Sequence, residues 1–546
     1  MTFIVRNKYH FTACAFITLL FVFSVLLRKE NLSVPLSRHH EWITAHTLIT
    51  CEIWDKNGGP SAYGFSPVYT YPGEGNINPR MLGGVVDKNG YVYYVSYPPF
   101  AFLFAYYATQ IIGGPDVDSI RDLNLAIHFL CALLIYFLAL SLAWERQKND
   151  MSIAGIFCAF LYLFSAGNLW IHGNLYFADT LIQLFIISGL YFVVRFFKND
   201  YAKERVILSI LFFIFFLAAY TEWLGLFLAF FVGIAFLVSY FFVKEKRFLK
   251  AFFAVGVAAT MALGITVWQY SSIAGWKQLK EVSTQKYTER SGHETAELSP
   301  NGFNLESDAA LENLINSIDA GYKMVVNFIG LFFILFVVIA LFRKTRKNLG
   351  QFQWHVTAFC LLALAILIHY YVFFNFNSLH DFSSLKTGFL LILLVLIFVS
   401  LIERMLSTNF KIILTVLIVG LSIYKGIESV EKYNADNPMS TIEWNRIETA
   451  NAILEHGKPE YAIFINTRFS TELVYYSKHN VSPINDTSGI KPMLKYFKGE
   501  RGQYYHHNDT KLEYILEFDK KNDEIIYREK IKFNSGNDGS GTHFQK

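Results

Sequence analysis

Apolar runs near or above the ~18 residues needed to cross a bilayer recur along this chain, separated by short charged links. Backbone N–H and C=O groups inside hydrocarbon must be satisfied within a helix or a closed barrel, and runs of this length fit helices rather than the ~10-residue strands of a barrel. Hydrophobic residues make up 53% of the 546, and the chain holds 53 Phe, more apolar surface than one soluble core covers. The expected fold class is an all-α polytopic membrane protein.

Charge sets the expected topology. The basic residues cluster between spans, at Arg146/Lys148, Arg195/Lys198/Lys203/Arg205, Lys244/Lys246/Arg247/Lys250 and Arg343/Lys344/Arg346/Lys347. With a formal net charge of only +4, these clusters report orientation and exclude nucleic acid as a partner. A cytoplasmic N-terminus puts residues 28–94 outside. If the apolar run 98–112 crossed, every basic cluster would also fall outside, against the positive-inside rule. Read as a re-entrant or interfacial helix, it returns all of them to the cytoplasm.

The spans are then 123–143, 153–170, 177–196, 206–219, 224–243, 251–269, 324–342, 356–374, 388–401 and 412–424. With a first span at 11–27 they make about 11 crossings and leave the C-terminus outside. Arg6 and Lys8 ahead of that first span imitate a signal peptide, but Arg28-Lys29-Glu30 offers no small-residue cleavage site. Cys14, Cys131, Cys158 and Cys360 fall within spans and only Cys51 faces water, so no disulfide framework is legible.

Residues 1–424 form the membrane module, with a first outer loop at 28–122 and a second at 271–322. Residues 425–546 read as a small extracytoplasmic α/β domain with helices over 444–455 and 471–477 and strands over 461–465 and 525–533. Asn31, Asn480, Asn485 and Asn508 head glycosylation sequons in these outer parts.

The chemistry gathers at that outer side. Between Arg38 and Asp55, Trp42, Ala45, Ile49 and Ile53 recur at helical spacing, which predicts a helix along the membrane surface with Glu41 at its start beside His39 and His40. The same face receives Tyr97, Arg121, the His172-Gly173-Asn174 patch with Asp179, Glu222, and His380-Asp381 with Lys386. A charge costs ~2.5–3.5 kcal/mol at the centre of a span and is usually retained for a pathway or a site. A carboxylate with cations near it suits activation of an acceptor hydroxyl beside a bound phosphate.

Plainer readings exist for each residue. Glu41 also reads as a solvated loop carboxylate, and His39 and His40 as interfacial residues without a second histidine at ligand spacing. Arg121 reads equally as a headgroup anchor, and Asp179 and Glu222 as helix-end residues that satisfy backbone donors. Tyr97-Pro98-Pro99 also reads as a helix break.

The combination of Glu41, Tyr97-Pro98-Pro99-Phe100, Gly113-Gly114 and Arg121 resembles the GT-C glycosyltransferase superfamily, nearest to protein O-mannosyltransferases and lipid A aminoarabinose transferases. Asp179-Thr180-Leu181, and Leu379-His380-Asp381-Phe382 ahead of Lys386, are similar to that group too. The likeness covers roughly the first 400 residues. It implies inverting transfer of a monosaccharide from a polyprenyl-phosphate donor to a glycan, lipid or protein acceptor at the outer face, in a bacterial inner membrane.

On that resemblance Glu41 and His40 are catalytic. Arg121, His380 and Lys386 contact the donor phosphate, while Tyr97, Asp179, Glu222 and Asp381 line the acceptor or sugar pocket. The family's acidic pair falls on His40-Glu41, so either Glu41 acts alone with help from a histidine, or the acid is Glu52, Asp55 or Glu74. Members differ in metal dependence; a divalent cation is compatible with the family, and the sequence offers no metal ligand set. Two other classes fit many spans, a lipid-linked glycan transporter or flippase and an O-antigen-type polymerase. The chain shows no related halves, and its 271–322 loop holds Arg290 as its sole arginine.

Overall fold

The computed structural model describes residues 2–71, 84–142, 152–292, 307–342, 353–405, 420, 424–428, 444–467, 470–493, 500–508, 511–521 and 524–533. The chain divides into two compact units, one of residues 1–35, 54–67 and 95–440, the other of residues 36–53, 68–94 and 441–546.

Helices dominate the first two thirds of the sequence: α1 (Thr2–Leu32), α2 (Glu41–Lys56), α3 (Phe100–Ile112), α4 (Val117–Leu142), α5 (Ile153–Phe164), α6 (Ala166–Asn174) and α7 (Ala178–Phe197). They continue as α8 (Glu204–Thr221), α9 (Trp223–Val243), α10 (Lys246–Ser291), α11 (Ser307–Phe342), α12 (Gln353–Val372), α13 (Phe374–Leu379) and α14 (Ser384–Met405). Among the described residues nine helices are long and apolar enough to cross a bilayer, or ten if the bent pair α5 and α6 is one span. The expected crossing at 412–424 lies almost wholly outside the described residues. Phe11, Phe242 and Ile111 stand open on helix surfaces, as side chains do where lipid replaces a protein core. The protein is an integral membrane protein of polytopic helical type.

Helix α3 has 13 residues, about 20 Å at 1.5 Å per residue, and is too short to cross a ~30 Å core alone. The stretch 271–322, expected as a loop, is largely helical. Helix α10 runs on to Ser291 through a break at Gly275 (φ 79), and α11 begins at Ser307 and breaks at Tyr322. The charged residues that read as a loop are one side of a helix: Lys277, Lys280 and Glu281 are exposed while Leu279 is buried.

In the first unit α4 packs on α5 and α7, α10 runs along α8 and α9, and α11 packs on α14. The 60° bend between α5 and α6 falls at Ser165, whose ψ of 135° is extended. A bend at this depth frees carbonyls that must find donors inside the protein. They do: Asn168 Nδ2 donates to the Tyr162 carbonyl and Ser165 Oγ to Leu161, while along and beyond the short α6 Arg28 Nη1 donates to Leu169 and Asn124 Nδ2 to Ile171 and Leu175.

Close approaches within the helical unit require glycine at Gly225 and Gly388. A Cβ at Gly225 would lie 2.2 Å from the Ala218 carbonyl, which fixes the tight turn from α8 into α9. At Gly388 a Cβ would lie 2.0 Å from the Tyr322 ring, whose hydroxyl donates to Asn168 Oδ1 at 2.6 Å. Gly388→Ala must therefore displace Tyr322 or α14. The expected cost is ~1–3 kcal/mol of overpacking, read as a lower thermal-unfolding temperature in lipid nanodiscs.

The second unit holds a β-hairpin, β1 (Val85–Val86) with β2 (Val92–Tyr93), and a mixed sheet of β3 (Ala462–Ile465), β4 (Val481–Pro483), β5 (Arg501–Asn508), β6 (Lys511–Lys521) and β7 (Glu524–Lys532). The sheet order is β4-β3-β5-β6-β7, with β3 parallel to both neighbours and the rest antiparallel. Helices α15 (Trp444–His456), α16 (Thr471–Ser477) and α17 (Ile490–Met493) complete it. Ala462, Phe464, Tyr504 and Phe518 form a core on one sheet face with Ile490. On the other, Thr449 of α15 bonds His507 Nε2 at 2.7 Å and Gln503 Nε2 donates to the His456 carbonyl.

Residues 36–53 and 68–71 belong to this unit through specific bonds. The Leu36 N–H donates to Tyr476 Oη at 2.6 Å, Glu52 pairs with Lys478 at 2.6 Å, and the Asn480 amide bonds both the N–H and the C=O of Tyr71. Asn480, one of the sequon residues, is thereby committed to the fold.

Candidate active site

The strongest concentration of buried charge in the first unit is built by four helix ends. Asp179 lies in the first turn of α7, Glu222 is the N-cap of α9, His369 lies in the last turn of α12, and Lys386 is the third residue of α14. Helix starts favour carboxylates, since free N–H groups and the helix dipole face them. Glu222 Oε2 uses this directly by accepting the Leu224 N–H at 2.7 Å.

Lys386 Nζ lies 2.6 Å from Asp179 Oδ1 and 3.5 Å from Glu222 Oε1. His369 Nε2 is 2.8 Å from the same Glu222 oxygen, while its Nδ1 faces Asn377 Nδ2 at 3.3 Å. A carboxylate at one nitrogen and an amide donor at the other fix one neutral tautomer, with the proton on Nε2. All four ionisable side chains are at most 1% exposed, which leaves the charges of Asp179, Glu222 and Lys386 unscreened by water. Asp179 Oδ2 and Asn377 Oδ1 have no hydrogen-bond partner among the described residues.

A second cation stands at the edge of this cluster. Arg290, near the end of α10, donates from Nη1 to the Ser96 carbonyl at 3.1 Å. Its guanidinium carbon lies 4.8 Å over the Tyr97 ring and 4.7 Å over the Phe376 ring. The arginine acts electrostatically on both Asp179 and His369. Two carboxylates facing a lysine and an arginine make a balanced, dry polar centre; a phosphate or a sugar hydroxyl entering it meets fixed donors and acceptors.

Three of the residues expected from sequence, Asp179, Glu222 and Lys386, thus meet in one cluster. Tyr97 is buried beside it, its carbonyl accepting from Tyr270 Oη at 2.5 Å and its ring edge-on to Phe177. His380 stacks on Phe382 and meets Phe376 edge-on, and Asp381 opens the short turn that leads into α14. Arg121, 3% exposed on α4, spends Nη1 on the Leu32 and Val34 carbonyls at 2.9 and 2.6 Å.

Glu41 and His40 lie in the second unit. Glu41 is fully buried at the start of α2, and its Oε2 accepts the Ser37 and Arg38 N–H groups at 2.8 and 2.9 Å. His40, at φ 61, occupies the left-handed turn that brings the chain into this helix. Of the other acids named from sequence, Glu52 accepts from Tyr71 Oη and pairs with Lys478, Asp55 accepts from Gln110, and Glu74 lies outside the described residues.

Sequence reasoning passed over His369 and Arg290. The histidine sits inside an expected span, where an ionisable residue is itself a signal. The arginine was hidden in a stretch read as a loop.

No protein-family model matches the sequence, and no curated protein matches it either. Solved structures do match over most of the chain. The Archaeoglobus fulgidus oligosaccharyltransferase in complex with Zn and sulfate superposes with a TM-score of 0.57 at 11% identity, over 90% of this chain and 67% of that one. ArnT from Cupriavidus metallidurans bound to undecaprenyl phosphate gives 0.51 at 13% identity, over 92% of this chain and 94% of that one. The archaeal oligosaccharyltransferase AglB from Archaeoglobus fulgidus, in complex with an inhibitory peptide and a dolichol-phosphate, gives 0.54 at 11% identity, over 91% and 70%. At such identities the likeness carries the fold alone: a polytopic helical bundle with a C-terminal α/β domain.

Proposed function

We propose that this chain is an inverting glycosyltransferase that moves a monosaccharide from a polyprenyl-phosphate donor to a glycan, lipid or protein acceptor at the outer face of a bacterial inner membrane. The observation that carries the reading is the buried Lys386, shared by Asp179 and Glu222 with Arg290 beside them. The fold adds support, since ArnT holds undecaprenyl phosphate and AglB a dolichol-phosphate.

In the proposed step a general base, the role that the sequence resemblance gives to Glu41 aided by His40, takes the proton of the acceptor hydroxyl, and the freed oxygen electron pair forms a bond to the anomeric carbon. The bond from that carbon to the phosphate oxygen breaks, and its electron pair leaves with the polyprenyl phosphate. Lys386 and Arg290 neutralise that charge, with Arg121 and His380 as further donor contacts. Asp179 and Glu222 accept from sugar hydroxyls, and Tyr97 and Asp381 shape the pocket.

The test is donor binding and sugar release by the purified protein in lipid nanodiscs, across a broad panel of polyprenyl-phosphate sugars. Wild type is expected to bind and turn over at least one. Arg290→Ala is expected to weaken donor binding about tenfold or more, as loss of a charge-assisted contact to phosphate does. Failure of every donor in the panel to bind removes this reading and favours a transporter or polymerase.

A further inference from the structure

Glu472 lies in the first turn of α16, a helix N-capped by Ser470, whose Oγ accepts the Leu473 N–H. The Glu472 side chain is 2% exposed, and its Oε2 has no hydrogen-bond partner among the described residues. An ionised carboxylate in that setting is strongly disfavoured.

The surroundings tie this residue to Glu41. Tyr476, one helical turn after Glu472 and so on the same side of α16, accepts the Leu36 N–H. Ser37 and Arg38 follow directly, and their N–H groups hold Glu41 Oε2. Lys478, just past the helix, pairs with Glu52 of α2. Helix α16 therefore docks against the segment that presents Glu41. The groups acting on Glu472 are its own backbone N–H, Arg446 from α15, Glu41 from that segment, and Ser470 at its own N-cap. Burial pushes the Glu472 carboxyl up from 4.5 to about 7; its own backbone N–H, Arg446 and Ser470 pull against this, and the charge of Glu41 adds to it.

We propose that Glu41 and Glu472 work as one carboxyl pair where α16 docks on the segment leading into α2, with Glu472 the residue that positions the Glu41 carboxylate. Its role in transfer rests on the reading of Glu41 as the base. With Glu472 neutral, no second negative charge is added beside Glu41, which keeps its place on the Ser37 and Arg38 N–H groups. Once Glu472 ionises, two like charges face each other across the starts of α2 and α16, and the segment that holds Glu41 is pushed from its position. The sign follows from where the proton sits. Between 4.5 and about 7 the folded chain holds a proton that the unfolded chain has lost, so stability falls as pH rises through that window.

The experiment is infrared difference spectroscopy of the protonated-carboxyl stretch on the full-length protein in nanodiscs, titrated from about pH 5 to 9, with donor turnover measured on the same samples. Wild type is expected to lose a protonated-carboxyl band with a midpoint near 7. That band is expected to be absent from Glu472→Gln and to move to a lower midpoint in Glu41→Gln, where the neighbouring charge is gone. A band that survives Glu472→Gln, or a midpoint that stays fixed in Glu41→Gln, overturns the pair. Turnover in wild type is expected to fall about threefold or more above the midpoint, with no such fall in Glu472→Gln; parallel rate profiles overturn the positioning role. If the band behaves as expected while no donor is turned over, the pair stands and the glycosyltransferase reading fails.

Discussion

Lys386→Met is expected to destabilise the protein by ~3–5 kcal/mol and to abolish donor turnover. Methionine fills nearly the same volume, so packing in α14 is retained and the change removes a charge. What remains is Asp179 and Glu222, both buried, facing the place where their shared cation had been 2.6 and 3.5 Å away. Removing one partner of a buried pair is far costlier than never having built it, because the other charge is stranded. The measurement is thermal unfolding in nanodiscs, read beside donor binding. A double variant, Asp179→Asn with Lys386→Met, is expected to recover part of the lost stability, since a neutral amide replaces one stranded carboxylate. Additive losses in the two single variants and the double would mean that Lys386 and Asp179 do not interact, and the proposed site would lose its centre.

Much of the architecture is legible in local sequence, because the bilayer imposes a length and a composition on every crossing helix. The shortness of α3 could be read from the same rule combined with the positions of the basic clusters. The breaks could not. The short α6 that follows the bend at Ser165 is held by donors from Arg28 and Asn124, far away along the chain, on the Leu169, Ile171 and Leu175 carbonyls. The helical continuation of α10 beyond Gly275 presents lysines and glutamates to solvent, so its composition imitates a loop while one side stays buried at Leu279. In the tail, β5 places Gln503 and His507 under α15, so the apolar alternation that marks a half-buried strand is interrupted.

The candidate site was legible as individuals and not as partners. Asp179, Glu222 and Lys386 each stand out as charges at span edges, yet nothing in the sequence says that one lysine serves both acids. His369 and Glu222 bond across 147 residues, and Leu36 and Tyr476 across 440. Pairings of that range are set by how helices pack, which no local pattern encodes. The same distance conceals the grouping of residues 36–53 with the tail.

Glu41→Gln is expected to lower donor turnover by ~10²–10⁴ while leaving donor binding and folding nearly intact. The structure makes this substitution discriminating, because Glu41 has two separable tasks. Its Oε2 accepts the Ser37 and Arg38 N–H groups, and the amide oxygen of glutamine can accept both in the same way. The other position becomes an NH2 group, which donates and cannot take a proton. If Glu41 serves only to hold the turn ahead of α2, glutamine is a faithful substitute and turnover stays near wild type. If it is the base, the fold survives and the reaction does not. Glu41→Ala completes the comparison by removing both tasks, adding a stability loss of ~0.5–2 kcal/mol for the lost helix-start acceptor. An unfolding temperature that drops in the alanine variant alone, with turnover lost in both, identifies proton transfer as the task the carboxylate performs. Near-normal turnover in Glu41→Gln assigns Glu41 to structure and moves the search for the base to Asp179 and Glu222.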